Sequence, residues 1–154
     1  MFPSRLRSAL ISACAAFIIP VVAQAQWWQH HPRYLHAMSN LRTAYWLIAH
    51  RDERDPFARP EEGHALKEIS RAYQDLKEAS IIDEKDIADQ PPPDMDFYDR
   101  RGRLHHALDL LYDARRDIQG EEDDPAARGF RYGALKDIDK AIRATNDAIH
   151  AWMF

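Results

Sequence analysis

The chain carries a single cysteine, Cys14. It falls in an N-terminal segment that reads as an export signal, so the mature product would have no disulfide and no thiol nucleophile. Glycine is scarce, at five residues, and none has the G-x-G or G-x-x-x-x-G-K spacing of a phosphate-cradling loop. The few serines lack the glycine frame of a nucleophile elbow. No stretch alternates with period two and β-branched enrichment, which excludes strands. Positive charge is not in excess, with 21 basic against 25 acidic residues. The cationic face of a nucleic-acid binder is therefore missing. No catalytic constellation remains, and the expectation is a non-enzymatic protein.

What is present begins with the export signal. Arg5 and Arg7 supply its positive region, Ala9 to Val22 its apolar stretch, and Ala23-Gln24-Ala25 a small-x-small cleavage site. Pro20 interrupts the stretch, which is shorter than the ~20 residues of a spanning helix. Cleavage after Ala25 leaves 26–154 as one periplasmic or secreted domain that does not span the membrane. Ile11-Ser12-Ala13-Cys14 resembles a lipobox, so lipidation at Cys14 stays open as an alternative start. Only six residues separate Arg7 from Cys14, however, and the apolar stretch continues past it. Removing Arg5 and Arg7 from the 21 basic residues leaves 19 against 25 acidic ones, a formal charge of −6.

Apolar spacing predicts four helices. Tyr34, Ala37, Met38, Leu41, Ala44, Tyr45 and Ile48 form a stripe over about 32–51. Ala65, Leu66, Ile69, Ala72, Tyr73, Leu76 and Ala79 form the second, opened by Pro60 with Glu61 and Glu62 in its first turn. The third stripe runs from Leu104 to Ile118, with Gly120 at its end. The fourth runs from Ala134 to Trp152, with Asp124-Pro125 as the expected helix start. Each stripe covers one side of a helix in a four-membered bundle. Between the pairs, about 80–99 carries Pro91-Pro92-Pro93, which cannot be helix interior and reads as a long crossover. Ile81, Ile82, Ile87, Phe97 and Tyr98 are the residues expected to tack it down.

The second half echoes the first. Ala65-Leu66-Lys67-Glu68-Ile69 recurs as Ala134-Leu135-Lys136-Asp137-Ile138, 69 residues on. His36-Ala37-Met38 with Leu41, Ala44 and Ile48 recurs as His106-Ala107-Leu108 with Leu111, Ala114 and Ile118, 70 residues on. One residue of slippage suits a duplicated hairpin whose loop has changed length. The predicted fold is thus an all-α four-helix bundle of two duplicated hairpins, about 32–80 and 100–153, joined by the Pro-rich crossover.

Eight histidines are the one residue type that invites chemistry. In an exported protein they suit copper, zinc or nickel. His36 and His106 hold matching places in the two repeats, His105 shares a face with Asp109, and His64 closes Glu61-Glu62-Gly63-His64. The plainer reading is solvated or hydrogen-bonded helix histidines, since a helical wheel turns His36 and His106 away from the apolar stripe. A di-iron bundle needs two inward Glu-x-x-His motifs, and the nearest second, Asp147-Ala148-Ile149-His150, does not match the first by the repeat. Neither His-Glu-x-x-His nor Cys-x-x-Cys-His occurs. Trp27-Trp28 with His30-His31 precedes the first helix, either capping the bundle end or offering a contact for a protein or envelope partner, or for self-association. The alternating charges Lys67, Glu68, Arg71, Asp75, Lys77 and Glu78 read as a solvated outer face.

Leu35-His36-Ala37 and the Ala-Leu-Lys-Asp/Glu-Ile segments behind an export signal resemble a family of exported bacterial helical-hairpin-repeat proteins. In architecture the chain also resembles the periplasmic small metal-binding proteins, four-helix bundles of two hairpins that repeat histidine along every helix. That second resemblance implies binding of a divalent transition metal and assigns no residues; the alternative function is a low-stoichiometry divalent-metal binder, for which the residues themselves offer some of His36, His64, His105 and His106 as candidates.

Overall fold

The computed structural model describes residues 33–50, 59–84, 86–89, 100–120 and 124–151. The segment expected to be an export signal, Cys14, Trp27-Trp28, the three prolines, Phe97, Tyr98 and Trp152 lie outside them. Four helices follow in order: α1 (Arg33–Ala49), α2 (Pro60–Ile82), α3 (Arg100–Gln119) and α4 (Arg128–His150), with a 3-10 turn at Ile87–Asp89 after α2. No strand occurs among the described residues. The protein is an all-α four-helix bundle.

Helix ends follow local chemistry, with one correction. Pro60 takes the first position of α2 and Glu61 and Glu62 occupy its first turn, where a missing N–H costs nothing and negative charge meets the positive helix pole. α2 runs on to Ile82, so the connection starts later than expected. Ile81 is half exposed on the helix, whereas Ile82 and Ile87 do pack against the core. Glu84 closes the helix with φ 54°, a left-handed conformation normally given to glycine. Asp124-Pro125 does not open α4. The Asp124 side chain accepts from the Ala126 N–H at 2.8 Å and its carbonyl from the Ala127 N–H at 2.9 Å. Those bonds spend the cap on a separate turn, and α4 starts at Arg128.

α1 lies beside α2 and α3, and α4 beside the same two, while the diagonal pairs barely touch. Every neighbouring pair is antiparallel. Arg33 and His36 at the start of α1 meet Gly120 and Asp117 at the end of α3, and Glu68 of α2 meets Lys140 of α4. Ser80 near the end of α2 meets Met38 near the start of α1. Two helices therefore run one way and two the other, in the order up, down, down, up. α2 ends and α3 begins at opposite ends of the bundle, so the connection between them is a crossover rather than a turn.

The most extensive packing is not within the hairpins but between them, α2 on α4 and α1 on α3. Fully buried alanine recurs every seventh residue along each of these helices: Ala65, Ala72 and Ala79 on α2, and Ala134, Ala141 and Ala148 on α4. Ala37 with Ala44 and Ala107 with Ala114 continue the pattern on α1 and α3. A heptad of the smallest side chain keeps one seam of each helix low, which lets paired axes approach closely. Larger residues fill the space between the pairs, among them Met38, Leu41, Leu47, Ile69, Leu76, Leu111, Ile118 and Ile138.

A second device recurs at the ends. Arg33 donates to the Gly120 carbonyl at 2.6 Å, and Arg103, 70 residues on, donates to the Leu47 carbonyl at 2.9 Å. Arg59 donates to the Ala151 carbonyl, and Arg131 to that of Ile118 at 3.2 Å. In each case an arginine at the start of one helix serves a carbonyl at the end of its antiparallel neighbour. Those carbonyls lack an intrahelical donor and form the negative pole, so a guanidinium is well placed on both counts. Arg103 is only 7% exposed and shows that the arrangement tolerates a charge inside the protein.

Candidate functional site

An open groove of about 400 Å3 runs between α1 and α2. Its walls are Tyr45, Trp46 and Tyr73, with apolar Leu41, Ala49 and Ile69 beside them. Tyr45 was expected in the core, yet it is 41% exposed. The aromatic residues of α1 fall one step outside the alanine seam and so rim the groove instead. Trp46 stacks on His50 with ring centroids 4.2 Å apart, and the His50 Nδ1–H donates to the Trp46 carbonyl at 3.0 Å. One turn of helix thus fixes the indole at the end of the groove. Arg42 and Gln74 supply polar groups at the rim, and Ser70 is turned back on its own helix, donating to the Leu66 carbonyl at 2.9 Å. An apolar, aromatic concavity with a few polar groups is the usual form of a small-ligand site.

The other hairpin differs at the corresponding places. Seventy residues beyond Tyr45 stands Arg115, and 69 beyond Ser70 stands Asp139. These two form an ion pair at 2.6 Å across α3 and α4. Arg116 and Ile142 stand where the first hairpin has Trp46 and Tyr73. A charged bridge spans the second hairpin at the level where aromatic side chains leave the first one open.

The histidines are spread over the bundle. His36 is about half exposed, and its Nδ1–H donates to Asp117 Oδ2 at 2.6 Å. Asn40 adds a longer contact to the same oxygen, 3.4 Å. Burial holds the Asp117 carboxyl above its ordinary range, against the lowering effect of His36. His106 is half-buried rather than turned to water. Because α1 and α3 are antiparallel, matching positions lie at opposite ends of the pair, so His36 and His106 are far apart. The residue 70 before Asp117 is Leu47, so the His36–Asp117 pair is not repeated at the matching place on α1. His64 and His105 are exposed near the starts of α2 and α3, which are diagonal to each other. No group of three or more His, Cys, Asp or Glu able to hold a metal ion occurs among the described residues.

Part of the charge pattern on α2 is not an outer face. Glu68, 15% exposed, bridges Arg71 on its own helix and Lys140 of α4 at 3.3 Å, and Lys140 also binds Asp137. Asp75 lies against Gly133 of α4, where an added Cβ would come within 2.3 Å of its Oδ2. Burial, with the Asp137 charge adding to it, raises the Asp75 pKa above 3.8. No protein-family model, curated protein or solved structure matches this chain.

Proposed function

We propose that this protein is an exported, non-enzymatic binding module that uses the α1–α2 groove to hold a ligand. The observation that carries this reading is the contrast between two similar hairpins, one bridged by Arg115 and Asp139, the other open and lined by Tyr45, Trp46 and Tyr73. A bundle that needed only to be stable gains nothing from leaving aromatic rings half in water. The sequence echo supports descent from a duplicated hairpin, after which one copy kept an open face. Arg5, Arg7 and the Ala23-Gln24-Ala25 site support export.

Two experiments test this. The full chain, isotope-labelled, is titrated with a fragment library, and amide shifts should gather on α1 residues 41–50 and α2 residues 69–74. Shifts that gather elsewhere, or none up to millimolar fragment, overturn the reading. Sequencing the N-terminus of the exported product should give Gln26, and an uncut chain recovered from the cytoplasm would remove the claim of export.

A further inference from the structure

We infer that the groove takes a small carboxylate with a flat apolar body, an inference that rests on the binding-module reading above. None of the described residues lining it is Asp or Glu, in a chain that has 25 of them. Among the described residues that line it, the one with a permanent charge is Arg42, and no ion pair to it occurs among the described residues. An acidic protein with a local gap in its negative charge and a guanidinium at the rim repels cations and admits anions there. The planar fork of Arg42 matches a carboxylate with two parallel bonds.

The body of the ligand follows from the walls. Trp46, held flat by His50, and the two tyrosines offer ring faces and edges, which favour an aromatic plane by offset or edge-to-face contact. A space of about 400 Å3 suits a molecule of one or two fused rings. In the other hairpin the residue seventy beyond Arg42 is Tyr112, and Arg115, at the level of Tyr45, is already satisfied by Asp139, so the same ligand has no comparable cation there.

The test uses two matched probes, 2-naphthoate and neutral 2-naphthamide, titrated into the full chain by calorimetry and by amide shifts at low salt. Naphthoate should bind about two- to fivefold more tightly than the amide, the range of one exposed ion pair. Arg42→Gln should erase that difference by weakening naphthoate more than the amide, and 0.5 M salt should reduce it. Tyr73→Ala should weaken both probes. Equal binding of the two probes, or a preference that survives Arg42→Gln, overturns the anion inference and leaves the groove reading standing. If decanoate binds and naphthoate does not, the flat-body inference falls. Failure of every probe, with no shift in residues 41–50 or 69–74, removes both readings.

Discussion

The Arg33 Nη1 sits 2.6 Å from the Gly120 carbonyl, and a Cβ on Gly120 would lie 2.5 Å from that same nitrogen. The backbone of Gly120 is not in the left-handed region, so what an added side chain would meet at the end of α3 is the tip of an arginine from α1. Gly120→Ala should displace the guanidinium and cost about 1 kcal/mol, the size of one hydrogen bond to a charged group near the surface. Arg33→Ala should cost about the same, and the double variant should cost little more than either. Urea denaturation of the three variants measures this.

Asp75 gives a pH signature. Its carboxyl is held above 3.8 by burial and by Asp137, so the folded state binds that proton more tightly than the unfolded state does. Its contribution is then lost as pH rises through the raised pKa. Asp75→Asn, which keeps the shape beside Gly133, should raise the melting temperature at pH 7. The gain should shrink on acidification and vanish below about pH 3.5, beneath both titrations. A gain that is constant from pH 3 to 7 would refute the electrostatic account.

His36 and Asp117 can be separated by titration. His36 is what restrains the Asp117 pKa, through its hydrogen bond and its charge. In His36→Ala the carboxyl of Asp117 should titrate at still higher pH than in the parent protein. Carbon-detected NMR of that carboxyl follows the change directly, and an unmoved or lowered value would show that the pair does not persist in solution.

Leu47 is fully buried, although the three-and-four spacing of its helix does not include it. Leu47→Ala should cost about 2–5 kcal/mol, as for other buried leucines cut back to alanine. Leu66→Ala, at a half-buried position that the spacing does include, should cost less. Thermal melts of the two variants rank them.

The contrast between Leu47 and Leu66 shows how far the sequence could be read. The number of helices, their class and most of their buried faces follow from apolar period alone, as Ile69, Leu76, Leu111 and Ile138 illustrate. Which helices pair most closely does not follow from that period. Its signal was alanine at every seventh residue, a pattern hidden inside the broader stripe. Leu35 and Leu47 escaped because α1 buries more than one stripe, polar Ser39 and Thr43 included. The groove escaped because Tyr45 and Tyr73 look like core residues until the alanine seam turns them outward. The arginine–carbonyl bonds between helix ends were illegible because they depend on which end meets which. His36 and His106 look equivalent in sequence, but the antiparallel pairing sends them to opposite ends.

The up, down, down, up order also fixes where the chain enters and leaves. α1 starts at the end where α3 finishes, while Ala151 after α4 lies beside Arg59 at the other end. Arg33 and Ala151 thus stand at opposite ends of the bundle, separated by the length of α4, about 34 Å for 23 residues. A pair of labels placed at Arg33 and Ala151 would therefore read out the full height of the bundle rather than one of its faces.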